Sequence, residues 1–155
     1  MHDQMLLQLI EDDIAPAQQL LDLLRAESIA LHGRDMVMLE NILAQKQSLI
    51  VLLEQHGRKR SQILASLQLS PDRVGLAGLA SRSALGDTLL TRGDTLTQVL
   101  DQCQSVNASN GRAIVLQQMV TANQIRILTG GDTPSLYDSR GSTARLAKQR
   151  PLSQA

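Results

Sequence analysis

The chain of 155 residues has no tryptophan, no phenylalanine and one tyrosine, Tyr137. Sheet cores favour aromatic and β-branched side chains, so their scarcity argues against a β protein. Single-stranded nucleic acid is bound on stacking rings within a basic groove. Here the rings are missing, and 15 Lys and Arg are balanced by 15 Asp and Glu. No nucleic-acid partner is expected; Arg58-Lys59-Arg60, the one dense basic run, reads as a solvated helix face. The single cysteine, Cys103, excludes an intrachain disulfide and points to a reducing compartment. It falls on an apolar stripe and reads as a small core residue. No run of 18 apolar residues occurs, so no membrane-inserted helix is expected. The start, MHDQMLLQLIEDD, lacks the basic opening and small-residue cleavage site of a secretory signal. A cytoplasmic location follows as the expectation.

What the chain has is leucine, 28 of them. The four prolines, Pro16, Pro71, Pro134 and Pro151, leave two proline-free gaps long enough for very long helices. A first helix is predicted from about Gln4 to Leu31, with Leu6, Ile10, Ala17, Leu20 or Leu21, Leu24 and Leu31 at helical spacing. Pro16 is expected to kink it or to start a new helix behind Glu11, Asp12 and Asp13. Gly33 suits a left-handed helix stop and Asp35 the next N-cap, which makes a tight antiparallel hairpin. The second helix, about Met36 to Leu67, carries Leu39, Leu43, Ile50, Leu53, Leu64 and Leu67 in heptads, interrupted by Lys46, Gly57 and Arg60. Ser70 before Pro71 signals a short glycine-diluted helix over 71–80, and Ser83 can cap the next. The third long helix runs from about Ala84 to Leu128. Its inward register of Leu89, Gly93, Leu96, Leu100, Cys103, Asn107, Asn110, Ile114, Gln117, Thr121 and Leu128 has coiled-coil spacing. Gly93 and Gly111 mark close approach or weak points in it.

The expectation is an all-α protein: an elongated antiparallel hairpin with a third long helix along it, residues 1–129. Residues 130–155 lose the periodicity, are rich in Gly, Ser, Thr, Arg and Pro, and read as a flexible tail.

Chemistry is sparse. His2, His32 and His56 share no helical i, i+3 or i, i+4 spacing, and neither HExxH nor any phosphate-binding glycine loop is present, so no cofactor, metal or catalytic site is expected. Two polar anomalies stand out. Glu27 and Lys46 lie on the apolar faces of the hairpin helices. Counting from a turn near Gly33 offsets them by roughly 10 Å, so each is expected to pair locally or to reach the third long helix. Asn107, Asn110 and Gly111 interrupt the third helix's stripe, either as a register device or as a seam awaiting a partner helix.

Four pieces in order, ESIALHGRD (Glu27 to Asp35), LENILAQKQSLI (Leu39 to Ile50), NASNGRAI (Asn107 to Ile114) and LYDSRG (Leu136 to Gly141), together resemble the FlgN family of flagellar export chaperones. The resemblance implies a chaperone that holds hook-associated proteins unassembled and delivers them to the flagellar type III export machinery. It implies cargo capture by the C-terminal region and export-gate docking through a tail tyrosine, here Tyr137. Leu136, Tyr137, Gly141, Leu146 and Leu152 are the candidate partner-binding residues, and a tail that orders on binding can wrap a partner and still release it. A structural coiled-coil adaptor without an export role is the competing expectation, and a helical-bundle enzyme or metal protein a further one. An exposed seam also invites self-association.

Overall fold

A computed structural model describes residues 1–129. Four helices follow one another: α1, His2–Gly33; α2, Met36–Ser66; α3, Arg73–Ala80; and α4, Gly86–Thr129. The described residues contain no strand. α1 packs along both α2 and α4, and α3 packs on α4. The core lies along α1, where Leu6, Ile10, Leu20 and Leu24 meet Ile50, Leu53, Leu64, Leu89, Leu96 and Leu100.

The buried positions follow heptads more strictly than the apolar ones do. On α1 Leu6, Ile10, Asp13, Ala17, Leu20, Leu24, Glu27 and Leu31 alternate by three and four residues, with Leu21 and Ala30 buried alongside them. On α2 they are Ile42, Lys46, Ile50, Leu53, Gly57, Arg60 and Leu64. Lys46, Gly57 and Arg60 therefore belong to the inward stripe rather than interrupting it. Leu43 is displaced from that stripe by Ile42 and stands 52% exposed. Arg60 is likewise not part of a solvated face, although Arg58 and Lys59 are exposed.

The charges in the stripe pair across the hairpin. Lys46 Nζ donates to Glu27 Oε2 at 3.0 Å and Oε1 at 3.2 Å, with both side chains buried. Arg60 Nη1 bonds Asp13 Oδ2, and His56 Nδ1 lies 2.5 Å from Asp13 Oδ1. Each helix spaces its two charges fourteen residues apart, acids on α1 and bases on α2. The direct Glu27–Lys46 pair overturns the expectation drawn from the turn. In both pairs the α2 residue lies as far beyond the midpoint of residues 36 and 37 as its α1 partner lies before it. The register thus pivots about three residues later than Gly33, which removes the offset. His56, which reads as a helix-surface residue in the sequence, is drawn onto the Asp13 carboxylate.

The ends of the helices depart from the sequence reading in smaller ways. α1 runs unbroken through Pro16, and Asp13 turns inward rather than starting a new helix. The carbonyl that Pro16 leaves without an N–H belongs to Asp12, an exposed residue, where water can replace the lost donor. Arg34, not Gly33, takes the left-handed position (φ 52°), and its neighbour's Asp35 N–H closes on Ala30 O at 2.9 Å. Asp35 caps α2 by accepting from Met38 N–H at 3.1 Å. At α3 the cap is Asp72 rather than Ser70; it accepts from Gly75 N–H at 3.0 Å and from the Ser70 hydroxyl at 2.6 Å. A Cβ on Gly75 would meet the Ser70 carbonyl oxygen at 1.8 Å, so the turn into α3 requires glycine there. Gly93 marks a close approach, since a Cβ there would lie 2.8 Å from a Leu76 methyl.

Removing one partner of a buried ion pair strands the other charge, which costs about 3–5 kcal/mol, whereas replacing both by apolar groups is often neutral or stabilising. Lys46→Met alone should therefore lower unfolding free energy by about 3–5 kcal/mol. The double variant Glu27→Met/Lys46→Met should recover most of it in chemical denaturation.

Candidate partner-binding surface

Three side chains of α4, seven residues apart, donate to three carbonyls of α1, also seven apart. Cys103 Sγ reaches Ala17 O at 3.5 Å, Asn110 Nδ2 reaches Leu24 O at 2.9 Å, and Gln117 Nε2 reaches Leu31 O at 2.6 Å. A helical carbonyl keeps a second lone pair after its own helix bond, and these donors use it. The ladder sets α1 and α4 parallel and in one register. Asn110, 1% exposed, also donates to Glu27 Oε1 at 2.8 Å, and half-buried Asn107 accepts from Lys46 Nζ at 3.4 Å. Asn107 and Asn110 are thus engaged within the chain, tying α4 to the hairpin's ion pair, with half-buried Gly111 beside them.

That register puts α1's last turn level with Gln117. α4 continues ten residues past Met119 to Thr129, roughly 15 Å beyond the hairpin. Exposed large apolar residues gather at this end. Ile29 is 75% exposed on α1, and Leu116 and Met119 are exposed on α4 at the same level. Met36, Val37 and Met38 open α2, with Val37 72% exposed, and Leu43 lies about two turns after Met36. Unbranched, polarizable methionine adapts to varied apolar partners. Clustered exposed apolar residues mark interaction surfaces more often than isolated ones do. The sequence reading did not single out this end. Its signal was MVM, three consecutive apolar residues that no helix can bury on one face. The candidate residues Leu136, Tyr137, Gly141, Leu146 and Leu152 lie outside the described residues.

The rest of the surface offers little for chemistry. Among the described residues, no group of three or more His, Cys, Asp or Glu side chains is placed to hold a metal ion. α2 is long and apolar enough over one window to cross a membrane by length and composition. In the fold it is a bundle helix, with Lys46 and Arg60 paired to α1.

The profile of the FlgN family, described as FlgN protein, matches residues 1–145. The chain belongs to the FlgN family. A crystal structure described as a flagella synthesis protein FlgN, from Pseudomonas aeruginosa, is 38% identical, with a TM-score of 0.68 over 93% of this chain and 96% of that one. No curated protein matches the chain. The FlgN match extends past the described helices through Leu136, Tyr137 and Gly141.

Cys103 is fully buried, and burial pushes its thiol up to about 11. Alkylation needs the thiolate. Cys103 should resist iodoacetamide at pH 8 in the native protein and react promptly once the protein is unfolded in guanidinium, as read by mass spectrometry.

Proposed function

We propose that the protein is a cytoplasmic chaperone of flagellar type III export that binds hook-associated proteins, keeps them from assembling early and brings them to the export apparatus. The observation that carries this reading is the FlgN family match over residues 1–145. A second supports it: exposed apolar side chains collect at the end of the bundle from which residues 130–155 continue. An amphipathic cargo helix can lay its apolar face against Val37, Leu43, Leu116 and Met119, in the manner of helix-in-groove recognition. The tail would add Leu136 and Tyr137, the latter a large contact with few rotatable bonds. A segment that orders on binding gives up affinity to entropy, which favours the release that a delivery protein needs. Tyr137 is the residue assigned to export-gate docking, and Leu136, Gly141, Leu146 and Leu152 to partner contact.

Titration calorimetry with a hook-associated protein tests this reading in three proteins: the full chain, a chain ending at Thr129, and Val37→Ser/Met119→Ser. Exposed substitutions of this kind change stability by roughly 0.5 kcal/mol at most, so the double variant should keep its melting temperature. The full chain should bind, and the truncated chain should keep its helicity while losing most of the affinity. The double variant should bind several-fold more weakly. Undiminished binding by both altered proteins would assign the contact to other helix faces and favour a coiled-coil adaptor.

A further inference from the structure

α2 and α4 both pack on α1 but meet each other only sparingly, and α3 fills part of the gap at one end. A cavity of about 310 Å³ remains there. Leu6 and Ile10 of α1 line it together with Leu64, Leu76, Leu96 and Leu100 from the other three helices. It lies at the opposite end of the bundle from Met36, Met38 and Met119.

Its rim carries an acidic excess. Asp72, Asp94 and Asp101 line it, while Arg73 is committed to Asp94 at 2.8 and 3.1 Å and Arg60 to Asp13. The Ser70 hydroxyl holds the Asp72 carboxyl below its usual range, and Arg73 does the same for Asp94, so both remain charged at neutral pH. The occupant that fits is a short segment with aliphatic side chains and positive charge.

The chain contains such a segment. Ser142 to Leu152 (STARLAKQRPL) carries Leu146 and Leu152 with Arg145, Lys148 and Arg150, and no acidic residue. It is within reach. Leu100 lies 29 residues before Thr129 on α4, roughly 43 Å at 1.5 Å per residue. Residues 130–141, which precede the docked segment, can span about 40 Å when extended, enough to reach the near edge of the cavity at Gln104, roughly 38 Å from Thr129. Closing a loop of this length costs little more than closing one half as long. We propose that Ser142–Leu152 of the same chain docks in the cavity between α2 and α4, with Leu146 or Leu152 among its leucines and the basic residues against Asp72 and Asp101.

Docking keeps Leu146 and Leu152 from any other partner, so a partner that uses them competes with the cavity. The contact needs no partner, and it stands or fails separately from cargo binding.

Paramagnetic relaxation in the full chain tests it. A nitroxide is attached at Ala147→Cys, where buried Cys103 stays unlabelled, and leucine and isoleucine methyl signals are followed by NMR. Docking predicts selective loss of the Ile10, Leu64, Leu76 and Leu100 methyl signals. It also predicts their recovery in Asp101→Lys, an exposed rim change that leaves the core intact. Cavity methyls left at full intensity, or a loss spread evenly over the surface, would overturn the proposal and leave the cavity to a partner from outside the chain. Loss seen only between labelled and isotope-enriched chains in a mixed sample would also overturn it, by assigning the cavity to a second copy.

Discussion

The buried pair of Glu27 and Lys46 is the interaction on which the arrangement of the three long helices depends. Its carboxylate accepts from Lys46 of α2 and from Asn110 of α4, and the ammonium reaches Asn107 of α4 as well. One charge cluster therefore touches every long helix. A buried ion pair is weak evidence of stability, because desolvation offsets much of the attraction. Its effect here is on register. A slip of any one helix by a turn would leave a buried charge or amide without its partners, and that cost is steep in a low-dielectric interior. The Asp13–Arg60 pair two heptads away repeats the device with the same polarity, so the hairpin is held at two separated layers.

α4 is held differently. Its side chains bond α1's spare carbonyl lone pairs at heptad intervals, which suits helices whose apolar stripes are otherwise interchangeable leucines. Leucine zippers with uniform layers tolerate shifted registers; polar positions that must be satisfied remove those alternatives. The cost is a narrower apolar seam. The benefit is a scaffold whose two ends can differ. One end leaves methionine, valine and leucine exposed where α4 runs on past the hairpin. The other keeps a small apolar cavity under α3 with an acidic rim.

Membership of the FlgN family joins this scaffold to flagellar assembly, and the family match runs beyond the helices into residues 130–145. Leu136 and Tyr137 fall within that match. Leu146 and Leu152 lie further along, in a stretch whose charge is opposite to the cavity rim.

Composition and periodicity alone determined the helical class, the three long helices, the short helix after Pro71 and the cap at Asp35. Each of these rests on local spacing and on backbone chemistry within a few residues. The inward stripe of α4, with Cys103, Asn110 and Gln117 upon it, was equally legible, because a heptad is visible whether or not its members are apolar. Lys46, Gly57 and Arg60 seemed to interrupt α2 because hydrophobicity was standing in for burial, and paired charges break that proxy. Only the tertiary structure decided which acid meets which base. That depends on where the hairpin's register pivots, and a shift of three residues, about 4.5 Å of rise, separates a direct ion pair from none. Only it showed that Asp13 turns inward past Pro16, that Arg34 takes the left-handed turn, and that two long helices stand apart enough to leave a cavity. These outcomes follow from contacts between residues distant in the chain, and no local pattern encodes them.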